Sequence, residues 1–258
     1  MMTNGAISFL NAIPTGFGCA VGIRLPMSVR IQNQSTASLG ETIPARILME
    51  AFGKVSDGIE ITIESSIPAG FGLKSSSALV TATIGEFALF RGISMHPVEI
   101  CKVAAKVSRK LGLAVTGAFD DAAASVLDGV LVTDNRRDEI ISVDRIDDSK
   151  VVIALPPIKR PDRIAERLAS KDFTKALDFA RSGLFAECAV LNGQLVAQAL
   201  GYPTGPLRAL NGLGSEIYGY SGNGPALFAF AGERNFRSIY DYLSGIGPVI
   251  VTDLRGKQ

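Results

Sequence analysis

Strand and helix patterns alternate along this 258-residue chain in a way that predicts an α+β fold of two domains, residues 1–148 and 149–258. Three observations carry that expectation. Glu60-Ile61-Thr62-Ile63-Glu64 alternates polar and apolar side chains with the period of a half-buried strand. Residues 97–111 place Ile100, Val103, Ala104, Val107 and Leu111 on one helical face, and Gly112 closes the pattern. From residue 151 the order reads strand, helical region, strand, strand, helix, strand. That is the split βαβ, or ferredoxin-like, arrangement if residues 161–200 count as one crossover.

The chain opens with strand-like runs at 6–10, 20–25 and 29–32. A polar stretch at 33–38 separates them from a short helix at 44–52. The strand at 60–64 runs into Ile67-Pro68-Ala69-Gly70-Phe71-Gly72, a loop that no regular element tolerates. A helix follows from 75 to 91, with Gly92 as its left-handed cap. Pro97 suits the first position of the next helix, so His96 sits at its boundary as an exposed cap residue. In the second half, strands are expected at 151–155, 216–220, 226–231 and 249–253, helical segments across 161–200, and a helix at 236–244. The domain boundary falls near 147–150, where Asp, Ser and Lys cluster. Ile13-Pro14-Thr15-Gly16-Phe17-Gly18 nearly repeats residues 67–72 while its flanks do not, which predicts two similar tight loops and no duplication.

Composition narrows the function. Apolar residues make up 47% and charged residues 20%, enough for a sizeable core. Twenty-six basic and 25 acidic side chains leave a net charge of +1, so neither nucleic acid nor an anionic membrane is an expected partner. No apolar run reaches the roughly 20 residues that span a bilayer. The stretch 5–12 is too short, and lacks the basic flank, for a signal peptide. Cys19, Cys101 and Cys188 are scattered and odd in number, which reads as buried thiols in a reducing, cytosolic compartment. With one histidine and no CxxC pair, a His-based triad and a His/Cys metal site are both disfavoured.

Three glycine loops and an aspartate pair hold the chemistry. The first is Pro68-Ala69-Gly70-Phe71-Gly72-Leu73-Lys74-Ser75-Ser76-Ser77-Ala78. Gly70 and Gly72 permit positive φ and close backbone approach. The serines open a helix whose unpaired amides and dipole suit a polyphosphate. Lys74 supplies charge beside it, and Ser75 or Ser76 hydroxyls for a phosphate or Mg²⁺. The same residues also describe an ordinary serine-capped helix after a glycine turn. No Walker A spacing is present. In Thr116-Gly117-Ala118-Phe119-Asp120-Asp121, one aspartate suits a helix cap, and the other a carboxylate that takes or orients a hydroxyl proton. Ser221-Gly222-Asn223-Gly224-Pro225-Ala226 lies between two strands, and Asn223-Gly224 equally suits a hairpin turn.

In this order these segments resemble the GHMP kinase superfamily. Residues 68–78 are similar to its second motif, with Lys74 in place of the third glycine, and residues 221–226 to its third. Within it, residues 10–20, 72–77 and 116–121 resemble the archaeal-type shikimate kinases, and the likeness spans nearly the whole chain. The resemblance implies a first domain like domain 2 of ribosomal protein S5 and a ferredoxin-like second. It implies ATP at residues 68–78, with Mg²⁺ held near Ser75 and Ser76. The acceptor, shikimate, would lie between the domains near Asn11, Thr15, Gly16, Thr116, Asp121, Ser221, Gly222, Asn223 and Gly224. The catalytic aspartate falls on Asp121 or Asp120; Ser125 and Gly129 at the family spacing favour Asp121, leaving Asp120 as the cap. Lys74 joins them as the neutralising cation. Many relatives carry a magnesium-binding glutamate where this chain has Lys110, whose protonated amine cannot ligate Mg²⁺ but could contact a phosphate directly. Homoserine kinase, mevalonate kinase and a catalytically silent nucleotide-binding partner are the competing implications. An arginine clamp for the acceptor carboxylate is expected, with Arg24, Arg46 and Arg136 among the candidates.

Overall fold

The computed structural model describes residues 1–34, 40–53, 58–114, 116, 118–146 and 150–255. The first half contains β1 (Met2–Leu10), α1 (Ala12–Thr15), β2 (Phe17–Asn33), α2 (Ile43–Phe52), β3 (Ile59–Ser65), α3 (Ser75–Phe90), α4 (Pro97–Lys110), α5 (Phe119–Val126), β4 (Val130–Asp134) and β5 (Glu139–Asp144). The second contains β6 (Lys150–Ala154), α6 (Ile164–Ala169), α7 (Thr174–Arg181), α8 (Phe185–Leu200), α9 (Gly205–Gly212), β7 (Tyr218–Tyr220), β8 (Leu227–Ala231), α10 (Phe236–Ser244) and β9 (Val249–Thr252).

The strands form two antiparallel sheets. One runs β1-β2-β4-β5, with β3 pairing β2 beyond β4; the other runs β7-β8-β6-β9. The second order is the ferredoxin-like one, and its first crossover carries four helices, three within the helical segments expected at 161–200 and α9 beyond them. The runs at 20–25 and 29–32 belong to one 17-residue strand. Pro26 does not break it, because the pairing with β1 shifts register between Asn4 and Gly5. A bulge tolerates a residue that cannot donate to the ladder. The expected boundary near 147–150 falls mostly on residues outside those described. The near-repeat also folds in two ways: 12–15 make one helical turn capped by Gly16, whereas 68–74 form a bend with Gly70 and Gly72 at positive φ.

β1 and the first part of β2, Phe17 to Ile23, are covered on both faces and read as nearly continuous apolar runs, whereas β2 alternates buried and exposed residues from Arg24 onward. Ala6 and Ala20 face the core beneath α3, α4 and α5. Ile7, Phe9, Cys19 and Val21 face the other way, into a core shared with α8, β6 and β8. There the Phe9 ring meets Phe185, Phe228 and Phe230 at centroid distances of 5.9–6.5 Å. All three cysteines are free and buried. Capping follows the sequence closely at α4, where the His96 ring accepts from Val98 and the Glu99 carboxylate accepts from the His96 amide.

Candidate active site

The bend at 68–74 and the start of α3 are held from two sides. Leu73 is fully buried, and its carbonyl accepts from the Ala6 amide of β1 at 3.2 Å. On the other side the Ala226 amide donates to the Phe71 carbonyl at 3.0 Å, and the Ser221 hydroxyl donates to the Gly72 carbonyl at 2.9 Å. Gly72 is required here on two counts. Its φ is +86°, and a Cβ would overlap the Ser221 carbonyl. The first and third glycine loops are thus one structure.

Lys74, at φ +70°, is the N-cap residue of α3, and no side chain caps that helix. The serine-capped alternative is therefore excluded: Ser75, Ser76 and Ser77 lie inside the helix, and its opening amides have no side-chain acceptor. Gly70, Gly72, Lys74, Ser75, Ser76 and Ser77 line a cavity of about 330 Å³. Pro68, Ala69, Phe71, Leu73 and Ala78 do not; Ala78 is buried, its carbonyl accepting from the Thr3 hydroxyl.

Opposite the bend lies α5, seated on β2 by missing side chains. At Gly18 a Cβ would overlap the Asp120 carboxylate, and at Gly22 it would press on the Ala124 carbonyl. Asp120 therefore sits directly on the sheet, and both aspartates lie in the first turn of α5. Asp120 does not cap that helix. Ala118, at φ +52°, occupies the N-cap position with no side-chain bond. Asn135 instead fixes Asp120, donating to its carboxylate at 2.6 Å and accepting from its amide at 3.2 Å. Asp121 faces Lys74, with Nζ 2.9 Å from Oδ1 and both side chains no more than 14% exposed. The contact has ion-pair distance but not hydrogen-bond angles, so that carboxylate oxygen keeps capacity for a further donor. Burial, then the neighbouring Asp120, push the Asp121 pKa up to about 7 against the lowering pull of Lys74.

The third loop closes the cavity. Asn11 caps α1, receives the Ile13 amide, and donates to the Gly222 carbonyl at 3.1 Å and Asn223 Oδ1 at 2.8 Å. At Gly222 a Cβ would meet the Lys74 ammonium at 2.5 Å. The Tyr202 hydroxyl donates to the Asn223 carbonyl and Arg160 Nε to the Gly224 carbonyl, each at 2.8 Å. Asn11, Thr116, Asp121 and Asn223 line the cavity, whereas Ser221, Gly222 and Gly224 form the loop's backbone support. Thr15 and Gly16 lie elsewhere. The Thr15 hydroxyl bonds Phe17, and Gly16 backs onto Arg136, which with Arg181 brackets the Phe17 ring.

Lys110 is also outside. It pairs with Glu50 at 2.6 Å and is 68% exposed, so it neither replaces a metal ligand nor reaches a phosphate in this cavity. Arg24 and Arg46 are exposed, and Arg136 pairs with Asp134. The arginine that does line the cavity, Arg160, was not singled out in the sequence. Its signal was modest: a Lys159-Arg160 pair between prolines 157 and 161, directly after a buried strand.

The GHMP kinases N terminal domain family matches residues 43–129. The shikimate kinase of Pyrococcus abyssi is 33% identical, over 98% of this chain and 97% of its own. That of Thermoplasma acidophilum is 30% identical over 99% and 94%. Among solved structures, L. major mevalonate kinase in complex with R-mevalonate has a TM-score of 0.76 at 14% identity, covering 98% of this chain and 94% of that one. A putative homoserine kinase from Listeria monocytogenes has a TM-score of 0.69 at 16%, covering 98% and 95%. The structural matches establish the fold, and the full-length sequence matches refine it: the chain belongs to the GHMP kinase family, in the group of the archaeal-type shikimate kinases.

Proposed function

We propose that this chain is a shikimate kinase, which transfers the γ-phosphate of ATP to a shikimate hydroxyl and yields 3-phosphoshikimate and ADP, a step toward aromatic amino acids. One observation carries the reading. The uncapped start of α3, its glycine bend, the Lys74 ammonium and the Asp121 carboxylate meet in a single cavity. In the reaction an oxygen–phosphorus bond forms to the acceptor, the bond to the leaving diphosphate breaks, and the acceptor hydroxyl loses its proton.

Residues 1–148 would supply the nucleotide site: amides at 70–77 and the α3 dipole for the phosphates, with Ser75 to Ser77 alongside. Residues 149–258 would add the loop at 221–224. Asp121 would take or orient the proton, and a pKa near 7 suits that role at neutral pH. Lys74 would offset charge spreading onto the transferred group. Asp120, fixed by Asn135, would hold Asp121 in place and raise its basicity.

The oxygens available, Ser75, Ser76 and the two aspartates, suit a hard cation that keeps water and phosphate ligands. Among the described residues no group of three or more His, Cys, Asp and Glu side chains gathers to hold a metal alone. Mg²⁺ would be held near Ser75 and Ser76 and would add positive charge at the phosphates. The partner we expect is a small molecule, and the compartment the cytosol. Among the described residues no helix is long and apolar enough to cross a membrane.

A coupled assay of ADP release tests the reading, with shikimate, homoserine and mevalonate as separate acceptors. Turnover with shikimate alone is expected. Turnover only with another acceptor would reassign the substrate, and ATP binding without ADP release on any would make the chain a nucleotide sensor.

A further inference from the structure

The cavity contains a second cation whose charge has no carboxylate beside it. Lys74 is answered by Asp121, but Arg160 makes no ion pair among the described residues. Among the described residues its one hydrogen bond runs from Nε to the Gly224 carbonyl, which leaves the Nη1 and Nη2 fork without a partner there. A half-buried guanidinium left this way pays for desolvation without compensation, and burial lowers its pKa from the ordinary value. The hydroxyl of Ser8, 1% exposed and without a hydrogen-bond partner among the described residues, lines the same cavity.

We infer that Arg160 is the carboxylate anchor of the acceptor subsite. It would take the acid group of a polyhydroxylated substrate on its Nη fork, so that a hydroxyl at the far side of the ring reaches Asp121. The inference deepens the shikimate kinase reading and rests on it. A planar fork matches a carboxylate in two parallel bonds, a geometry that lysine does not reproduce. Nε, tied to the Gly224 carbonyl, fixes the plane in advance and lowers the ordering cost of binding. Ser8 would accept or donate to a ring hydroxyl. Specificity would then come from a charge that a neutral acceptor leaves unpaired.

Arg160→Gln keeps an amide donor for the Gly224 carbonyl and removes the charge; Arg160→Lys keeps a charge and loses the fork. Steady-state kinetics on both, with shikimate and with its uncharged carboxamide, decide the matter, while melting curves confirm the fold. For Arg160→Gln the KM for shikimate should rise roughly 10- to 100-fold, with the KM for ATP within about twofold. The wild type should prefer the acid over the amide by a similar factor, and Arg160→Gln should lose that preference. Arg160→Lys should fall between. A raised KM for ATP with unchanged acid-over-amide preference would place Arg160 on the nucleotide phosphates and overturn the assignment alone. A wild type inert on shikimate would overturn both it and the kinase reading.

Discussion

Asp121 and Lys74 are each buried beside the other, 2.9 Å apart. The carboxyl is held up near 7 chiefly by burial and then by Asp120, while Lys74 pulls it down. If Asp121 receives the hydroxyl proton, kcat/KM should fall as pH drops below about 7, because the base is then protonated. Lys74→Met should move that limb to higher pH, since the lowering influence is gone; an unmoved limb would assign it to another group. Asp121→Asn should cut kcat by roughly 100- to 10,000-fold and leave nucleotide affinity within about threefold. Isothermal titration with ADP beside the kinetics checks the split, and near-normal turnover would remove Asp121 from the reaction. The same carboxyl marks stability. Its folded pKa lies above the unfolded value of 3.8, so the native state holds the extra proton between the two. Its contribution is complete below about pH 4 and is lost as pH rises through 7. Asp121→Asn should flatten the decline of Tm across that window.

At the scale of elements, the seat of α5 decides where those carboxylates stand. Gly18 and Gly22 flank Ala20 on one face of β2 and let the helix touch the sheet. Gly22→Ala puts a methyl against the Ala124 carbonyl and the Arg255 side chain. The overpacking should cost about 1–3 kcal/mol. It should also shift the aspartates enough to lower kcat tenfold or more, while ATP affinity, on the proposed reading a property of the bend at 68–77, stays within about threefold. Melting curves and kinetics on one preparation test both, and loss of stability with full turnover would uncouple the seat from the chemistry. The sequence pattern made α3 and α4 legible, because Gly92 and Gly112 marked their ends and residues 97–111 repeat an apolar face. It made the bend legible too, since Gly70 and Gly72 lie at positive φ. Local signals could not reveal that Pro26 sits at a bulge inside one strand, or that Asn135, fourteen positions beyond Asp121, orients Asp120. Nor could they reveal that Lys110 turns toward Glu50, or that Arg160 enters the cavity from the other sheet's side. Each of those depends on a contact between residues far apart in the chain, which neither spacing nor propensity encodes.

Across the whole molecule, the two sheets do not keep separate cores. β1 offers Ile7 and Phe9 to helices and strands of the second half, and Phe9 sits among Phe185, Phe228 and Phe230. The cavity hangs on the same seam, since Asn11, next after β1, bonds both the Asn192 side chain of α8 and the loop at 222–223. Packing at Phe9 and the geometry around Lys74 should therefore fail together. Phe9→Ala removes a fully buried ring from that shared core and should cost about 3–5 kcal/mol. At roughly 2–4 °C per kcal/mol for a chain of this size, Tm should drop by about 6–20 °C. Calorimetry should still show one transition, displaced as a unit, and activity should be lost along the same curve. Two separated transitions, with the first-half helices outlasting β6 to β9, would mean that the halves fold independently. The site would then be assembled by docking and not by a common core.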